Sequence, residues 1–372
     1  MFHVLRQIAA VVAVAIVPMK LSALESSLGT LRVETVATGL DNPWGITFLP
    51  GEGVLITEQG GKLFRLTPQA QLISVSGVAE VAVRGQGGLL DVVAARDFET
   101  SREVFFTYAK PQGRNEGTAL AVAKLNSDGT MLTDWRDLFV LASGTSGGRH
   151  FGSRVVEGRD GRLFVTIGDR GDRMSAQNLS IATGSVIRVA RDGTIPDDNP
   201  FVDAPAAQPA IWSFGHRNSQ GAALDAQGRL WIVEHGARGG DEVNFIRKGA
   251  NYGWPIIAYG RHYTGFRIGE GTHKDGMEQP ATYWDPSIAP SGMMIYGTNS
   301  DGGMFPEWRG DMFIGSLKFD YITRLTADGE TASEAEQLRS DQTGRVRDVR
   351  EAPDGSIWFL SVNDGALYRV SR

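Results

Sequence analysis

Short runs of apolar residues, each introduced by a turn, recur along the chain. Gly51-Glu52-Gly53 precedes Val54-Leu55-Ile56-Thr57, and Asp160-Gly161 precedes Leu163-Phe164-Val165-Thr166. Asp225-Ala226-Gln227-Gly228 precedes Leu230-Trp231-Ile232-Val233, and Asp354-Gly355 precedes Ile357-Trp358-Phe359-Leu360. Two looser copies are Arg102-Glu103-Val104-Phe105-Phe106 and Arg309-Gly310-Asp311-Met312-Phe313-Ile314. In the closer copies the glycine can take φ > 0 at the turn, and the β-branched and aromatic residues that follow suit a pleated, buried surface, so each unit predicts a β-hairpin. No stretch after residue 30 keeps a 3.6-residue period, which excludes a helical bundle.

The N-terminus has a different pattern. Arg6 precedes an unbroken apolar run from Ile8 to Val17, Pro18 ends it, and Leu21-Ser22-Ala23 closes in small residues. This predicts a secretory signal peptide over residues 1–23 and a periplasmic or secreted mature chain. The alternative, a retained anchor, needs about 20 apolar residues to span a bilayer, and no other segment approaches that length. The six hairpin units then occupy residues 24–372, at about 58 residues each, close to the period of propeller blades built from four short strands. The expectation is an all-β fold, one six-bladed β-propeller of four-stranded antiparallel blades. Strand-like segments at Leu31 to Val36 and Ala366 to Val370 are placed to close one blade together. An irregular two-sheet β protein is the alternative. The longest interval separates the fourth and fifth units, and such insertions fall in loops on one face, where binding sites sit.

Composition narrows the partners. With 37 basic and 43 acidic side chains the net charge is −6, and no basic stripe is present to bind nucleic acid. There is no Cys, so neither disulfides nor thiol chemistry contributes. The 47 glycines follow no collagen period and are used for turns.

Five segments place polar side chains among glycines in loops. Gly85-Gln86-Gly87-Gly88 holds one amide; Arg149-His150-Phe151-Gly152 holds an imidazole, followed by Asp169 in Gly168-Asp169-Arg170-Gly171-Asp172. A His paired with a carboxylate can act as general base, the carboxylate fixing the tautomer, although a loop His is commonly a solvent-exposed bystander. Gly215-His216-Arg217-Asn218-Ser219-Gln220-Gly221 crowds polar side chains between two glycines. The stretch from Glu234 to Glu242 offers carboxylates and carbonyls of the kind Ca²⁺ takes, or else a solvated acidic turn. Lys318 with Arg345 and Arg347, the last two alternating on one strand face, forms either a clamp for a polyanionic ligand or plain surface charge.

Taken together, the segments resemble the soluble pyrroloquinoline quinone (PQQ)-dependent glucose, aldose-sugar and sorbosone dehydrogenases, from about Leu40 to the C-terminus. The motifs carrying the likeness, in order, are Asn42-Pro43-Trp44-Gly45, His150 with Gly168-Asp169-Arg170-Gly171, Gly215-His216-Arg217-Asn218, Glu234-His235-Gly236, Asp241-Glu242-Val243-Asn244 and Asn251-Tyr252-Gly253-Trp254-Pro255. The resemblance implies His150 as general base oriented by Asp169, with Gln86, Arg217, Asn218 and Tyr263 around cofactor and substrate. Lys318, Arg345 and Arg347 then hold PQQ. The carbonyls of Gly236 and Ala237 resemble ligands of a Ca²⁺ that bridges to PQQ, while Glu242 and Tyr252 align with a second, structural Ca²⁺. The family commonly has Pro where this chain has Ala237; the carbonyl is kept and a fixed φ is lost.

The implied reaction takes a proton from the anomeric hydroxyl of an aldose onto His150 and a hydride onto PQQ, with Arg217 stabilising charge, to give a lactone. Electrons then leave to an external acceptor, a cytochrome or quinone, since the chain carries no haem or iron–sulfur motif. Substrate choice falls to Tyr283–Gly292 and the long insertion before it. A Ca²⁺-dependent propeller lactonase or esterase, and a non-catalytic sugar-binding propeller, are the alternatives; neither needs both the cationic clamp and the His150–Asp169 pair.

Overall fold

The computed structural model describes residues 22–142, 144–298 and 303–372. Residues 1–21, which carry most of the expected signal peptide, lie outside it. Six antiparallel sheets, here blades 1 to 6, have as first strands Pro43–Leu49, Leu89–Ala94, Gly152–Glu157, Ser219–Leu224, Pro290–Ile295 and Val346–Glu351. Each first strand touches the next and the sixth returns to the first, so the six form a closed ring around the axis. The expected propeller is therefore present, with the termini in one blade: Arg32 to Ala37 pairs with Leu367 to Ser371.

All six turns read from the sequence join the first strand of a blade to its second, and the two looser copies are those where a helical turn intervenes, Phe98–Ser101 and Pro306–Trp308. One feature differs from expectation. The closing blade has a fifth, outermost strand, Ser22–Ser26, with Ser22 opposite Val33 and Ala23 opposite Arg32. A pattern search that assigns residues through Ala23 to a leader loses this strand.

Between each pair of neighbouring blades lies one apolar cluster. The cluster between blades 5 and 6 is the most aromatic, with Tyr296, Phe305, Trp308, Phe313 and Phe359 all buried. Alternation explains this, because the two faces of a blade each meet a neighbour, so strand residues of both parities are apolar. Each fully buried Leu or Phe contributes about 1.5–3 kcal/mol relative to exposure.

All six first strands lose register at the same end, between Pro43 and Gly45, Leu89 and Val92, Gly152 and Val155, Ser219 and Gly221, Pro290 and Met293, and Val346 and Asp348. A bulge leaves main-chain groups without ladder partners, and in the interior these must be satisfied by other means. Threonines on the second strands do this in series. Gly45 N–H donates to Thr57 Oγ1 at 3.0 Å, and that hydroxyl donates to the Leu90 carbonyl of the next blade at 2.6 Å. Asp91 N–H, Thr107 and the Ser153 carbonyl repeat the relay at 3.0 and 2.5 Å. Arg154 N–H, Thr166 and the Ser219 carbonyl repeat it again at 3.0 and 3.2 Å. In blade 5 the Ser291 hydroxyl bridges to the Val346 carbonyl at 2.6 Å.

These relays tie blade to blade at the height of the bulges. Thr107→Val is isosteric and leaves a buried N–H and a buried carbonyl unpaired, so it should lower unfolding free energy by about 1–3 kcal/mol in denaturant titration. Thr107→Ser should recover most of that loss. An unchanged midpoint for Thr107→Val would remove the relay from the account.

Candidate functional site

The links between blades and the loops joining second to third strands emerge at the bulged end. Links supply Gln86, His150, Arg217, Asn218 and Arg345; loops supply Asp169, Gly236, Ala237 and Lys318; Arg347 stands at the bulge of blade 6. Sequence-distant segments thus meet at one mouth of the channel.

His150 and Asp169 form the expected pair, with Nδ1 2.6 Å from Oδ1. The approach depends on Gly168, where an added Cβ would meet the His150 carbonyl at 2.1 Å. His150 has φ +52° and its N–H donates to Gln86 Oε1 at 2.6 Å. Asp169 is fully buried and also accepts from Gly171 N–H (2.7 Å) and Trp254 Nε1 (2.8 Å). Burial acts to raise the Asp169 carboxyl, but the hydrogen bond and charge of His150, with Gly171 and Arg217, outweigh it and hold it below the usual carboxylate range. An ionised carboxylate can only accept, so Nδ1 carries hydrogen and Nε2 keeps the lone pair. Burial, with Arg217 and Arg149, outweighs the opposing pull of Asp169 and lowers the His150 imidazole, which keeps it neutral at neutral pH.

Trp254 belongs to the long insertion, residues 246–281. It leaves the far end of blade 4, joins the last strand of blade 3 where Tyr252 N–H donates to the Phe214 carbonyl (2.8 Å), and so carries the indole up to Asp169. Arg217 lies nearby, buried, its Nη1 donating to the His235 carbonyl at 3.2 Å and its guanidinium 5.4 Å from the Trp254 ring.

A cavity of about 230 Å³ opens at the mouth, its wall formed by Trp44, Leu90, Phe151, Asn218, Gln220, His235, Leu317, Arg345 and Arg347, with Gln86 at the rim. Asn218 Oδ1 accepts from Gly152 N–H (3.2 Å) and Gln220 Nε2 (3.1 Å). Arg347 Nη1 donates to Gln220 Oε1 at 3.2 Å. Burial and the neighbouring Arg154 and Arg345 all weigh against the Arg347 charge, opposed by Asp348. A guanidinium does not give up its proton in a protein, so the crowding is an excess of positive charge directed at the cavity.

Three expectations change in detail. Arg345 does not alternate with Arg347 on a strand: it precedes the strand at φ +47°, its N–H held by Asp320 Oδ1 at 2.8 Å, and it lines the cavity beside Arg347, which stands at the bulge. Lys318 is exposed, with Nζ donating to the Ser287 carbonyl at 3.1 Å, and does not line this cavity. Tyr263 also stands away from the wall, 76% exposed at the tip of a hairpin in the insertion. Gln220, His235, Trp44 and Phe151 line the cavity without having been singled out, though each lies inside a motif already read for its neighbours.

Next to the cavity, sharing His235, is a smaller recess lined by Glu234, Gly236, Ala237, Glu242 and Tyr252. Gly236 N–H donates to Asp241 Oδ1 (2.8 Å), and the Gly239 and Gly240 carbonyls crowd its Cα, each 2.3 Å from where a Cβ would stand. Asp241 Oδ2 accepts from Ser287 Oγ (2.7 Å) and the N–H groups of Ile288 (2.8 Å) and Ala289 (3.0 Å), which ties this loop to the segment before blade 5. Burial and the carboxylates of Glu234 and Asp241 push the Glu242 carboxyl up to about 8. Asn244, which donates to Glu234 Oε1 at 3.0 Å, has a buried Oδ1 with no partner. The Tyr252 hydroxyl is engaged elsewhere, donating to the Phe245 carbonyl (2.5 Å) and accepting from Arg247 N–H (2.8 Å). Among the described residues no group of three or more His, Cys, Asp or Glu is arranged to hold a metal by side chains alone.

Known proteins share this fold. The chain is 42% identical to the aldose sugar dehydrogenase YliI of Escherichia coli (strain K12) over 357 residues, 94% of this chain and 95% of that one. It is 26% identical to the quinoprotein glucose dehydrogenase B of Acinetobacter calcoaceticus, over 88% and 84% of the two chains. The apo-form crystal structure of the soluble E. coli aldose sugar dehydrogenase superposes with a TM-score of 0.88 at 40% identity, covering 92% of this chain and 99% of that one. The PQQ-bound aldose sugar dehydrogenase of Streptomyces coelicolor superposes with a TM-score of 0.76 at 25% identity, over 91% and 96%. With the glucose/sorbosone dehydrogenase family model matching residues 40–369, the chain belongs to that family of oxidoreductases acting on sugars.

Proposed function

We propose that the chain is a PQQ- and Ca²⁺-dependent aldose sugar dehydrogenase, acting in the periplasm or outside the cell and converting the anomeric carbon of an aldose to a lactone. The observation that carries this reading is the pairing of two unlike recesses across His235. One presents arginines to a cavity walled by Trp44 and Phe151, and the other gathers carboxylates and carbonyls. An aromatic tricarboxylate suits the first by its charge and its ring faces, and a hard cation suits the second by its oxygen donors.

Arg345 and Arg347 would hold the PQQ carboxylates against Trp44, with Gln86, Gln220 and Asn218 supplying amides. The Gly236 and Ala237 carbonyls would hold the catalytic Ca²⁺, and Glu242 with the main-chain carbonyl of Tyr252 a structural one. When bound, PQQ supplies an electrophilic carbonyl that accepts the hydride from the sugar's C1. His150 Nε2 takes the hydroxyl proton as that C–H bond breaks, and Asp169 steadies the resulting imidazolium. Buried Arg217, already directed toward this end of the channel, offsets developing negative charge. The two electrons then leave to an external acceptor, a cytochrome or quinone.

The lactonase alternative fits less well. Its metal would need free carboxylates in the channel, whereas Asp91 and Asp348 are both ion-paired with arginines there. The deciding experiment adds PQQ and Ca²⁺ to apoprotein and measures dye-linked aldose oxidation. Activity that depends on both supports the proposal, and lactone hydrolysis without PQQ would overturn it.

Three outcomes follow for single residues. His150→Gln should cut turnover by about 10²-fold or more while PQQ still binds. Asp169 raises the imidazole's affinity for protons, so in Asp169→Asn turnover should fall and the acid limb of the kcat–pH profile should move to lower pH. A limb that stays in place or moves up contradicts the pairing. Ca²⁺ should raise the melting temperature of the native protein more than that of Glu242→Gln, which keeps only the Gly236–Ala237 site, because a ligand that binds only the folded state stabilises it. Equal gains in both would release Glu242 from the metal.

A further inference from the structure

Beneath the cavity the channel is closed by four charged side chains. Arg154 is 1% exposed, and its Nη1 lies 3.0 Å from both Asp91 Oδ1 and Asp348 Oδ1. Arg350 reaches the same two acids at 3.1 Å, so two cations balance two anions, of which only Arg350 is partly exposed. Every blade contributes at this height. Asp348 also accepts from Ile46 N–H of blade 1 (3.1 Å), and Asp91 from Val155 N–H of blade 3 (3.0 Å). Blades 1 and 5 make room with glycine: a Cβ on Gly45 would meet Asp91 Oδ1 at 3.0 Å, and one on Gly292 would meet Asp348 Oδ1 at 2.1 Å. On the far side lies a separate cavity of about 380 Å³, onto which Arg350 opens.

Arg154 does more than balance charge. Its Nε donates to the Gln220 carbonyl at 2.6 Å and its Nη2 to the Arg347 carbonyl at 3.1 Å. Its guanidinium lies 4.3 Å from the centre of the Trp44 ring. Gln220, Arg347 and Trp44 are bulge residues of blades 4, 6 and 1, and all three line the cavity above. Bulged main chain has no ladder to fix its height, and a planar fork with its donors in set directions can fix it.

We infer that Arg154 is a positioning residue for the cofactor cavity: by holding the main chain of Gln220 and Arg347 and backing Trp44, it sets where their side chains meet the ligand. The inference rests on the PQQ reading for the identity of that ligand, but the geometry it predicts does not. A lysine keeps the charge among Asp91 and Asp348 and loses the fork, so Arg154→Lys isolates the positioning role. Arg350→Lys perturbs the same ion network without touching a residue of the cavity wall, and serves as the control.

The test has two arms. In the first, PQQ is titrated into each apoprotein in Ca²⁺ and binding is followed by quenching of tryptophan fluorescence. Arg154→Lys should need about tenfold or more PQQ for half-saturation, while Arg350→Lys follows the native curve even where its melting temperature falls equally. In the second, crystal structures of the two apoprotein variants are compared. Arg154→Lys should lose the Arg347–Gln220 side-chain hydrogen bond, and Arg350→Lys should keep it. Native protein that fails to bind PQQ refutes the cofactor reading and leaves the second arm to decide this one. Overlaying titrations for Arg154→Lys and native protein, or an unmoved Arg347–Gln220 pair, would overturn the positioning role. If Arg154→Lys does not fold, Asp91→Asn with Arg154→Gln removes one charge of each sign, and the same two outcomes apply.

Discussion

Six strands converge on one axis, and near the site each drops out of register, leaving amides and carbonyls in a dry interior without ladder partners. The rest of the architecture at this end answers that constraint. Thr57, Thr107 and Thr166 take up the exposed groups between successive blades, Ser291 does so in blade 5, and Arg154 serves the main chain of blades 4 and 6 from the centre. The same irregularity turns Trp44, Gln220 and Arg347 toward the cavity. Bulges are therefore the source of the site's shape, and the hydrogen bonds that satisfy them give that shape its rigidity.

Electrostatics sorts the site into compartments. Positive charge collects around the larger cavity, carboxylates collect in the recess beside it with Arg217 among them, and His235 lines both. Below, equal numbers of acids and arginines cancel. A buried ion network of this kind contributes little net stability once desolvation is counted, but removing a single partner from it is costly, which suits a role in fixing geometry. His150 and Asp169 sit outside the partition, where burial keeps the imidazole neutral and a single carboxylate fixes its tautomer.

The blades were legible because a turn followed by an apolar strand is a local signal, and all six such units fall at equivalent places. The pairing of His150 with Asp169 was legible from motif order. Other features were hidden for physical reasons. Ser22–Ser26 lacks the apolar alternation of a central strand because it is an edge strand with one neighbour. Alternation grouped Arg345 with Arg347, and both line one cavity, yet a left-handed residue and a bulge place them there, and neither leaves a pattern in side-chain type. Tyr263 and Lys318, expected at the site from the resemblance, stand exposed. Arg154 looked like any strand residue, since its partners Asp91, Asp348 and Gln220 come from three other blades and only closure of the ring brings them together.

The arginine-lined cavity is read as the place for a polyanion beside a cation, with the His150–Asp169 pair at the same mouth of the channel. A crystal structure of the protein grown with PQQ and Ca²⁺ tests this most directly. The account predicts the quinone against Trp44 with its carboxylates on Arg345 and Arg347, and Ca²⁺ on the Gly236 and Ala237 carbonyls. PQQ bound elsewhere, or a cavity that stays empty at saturating PQQ, would contradict it.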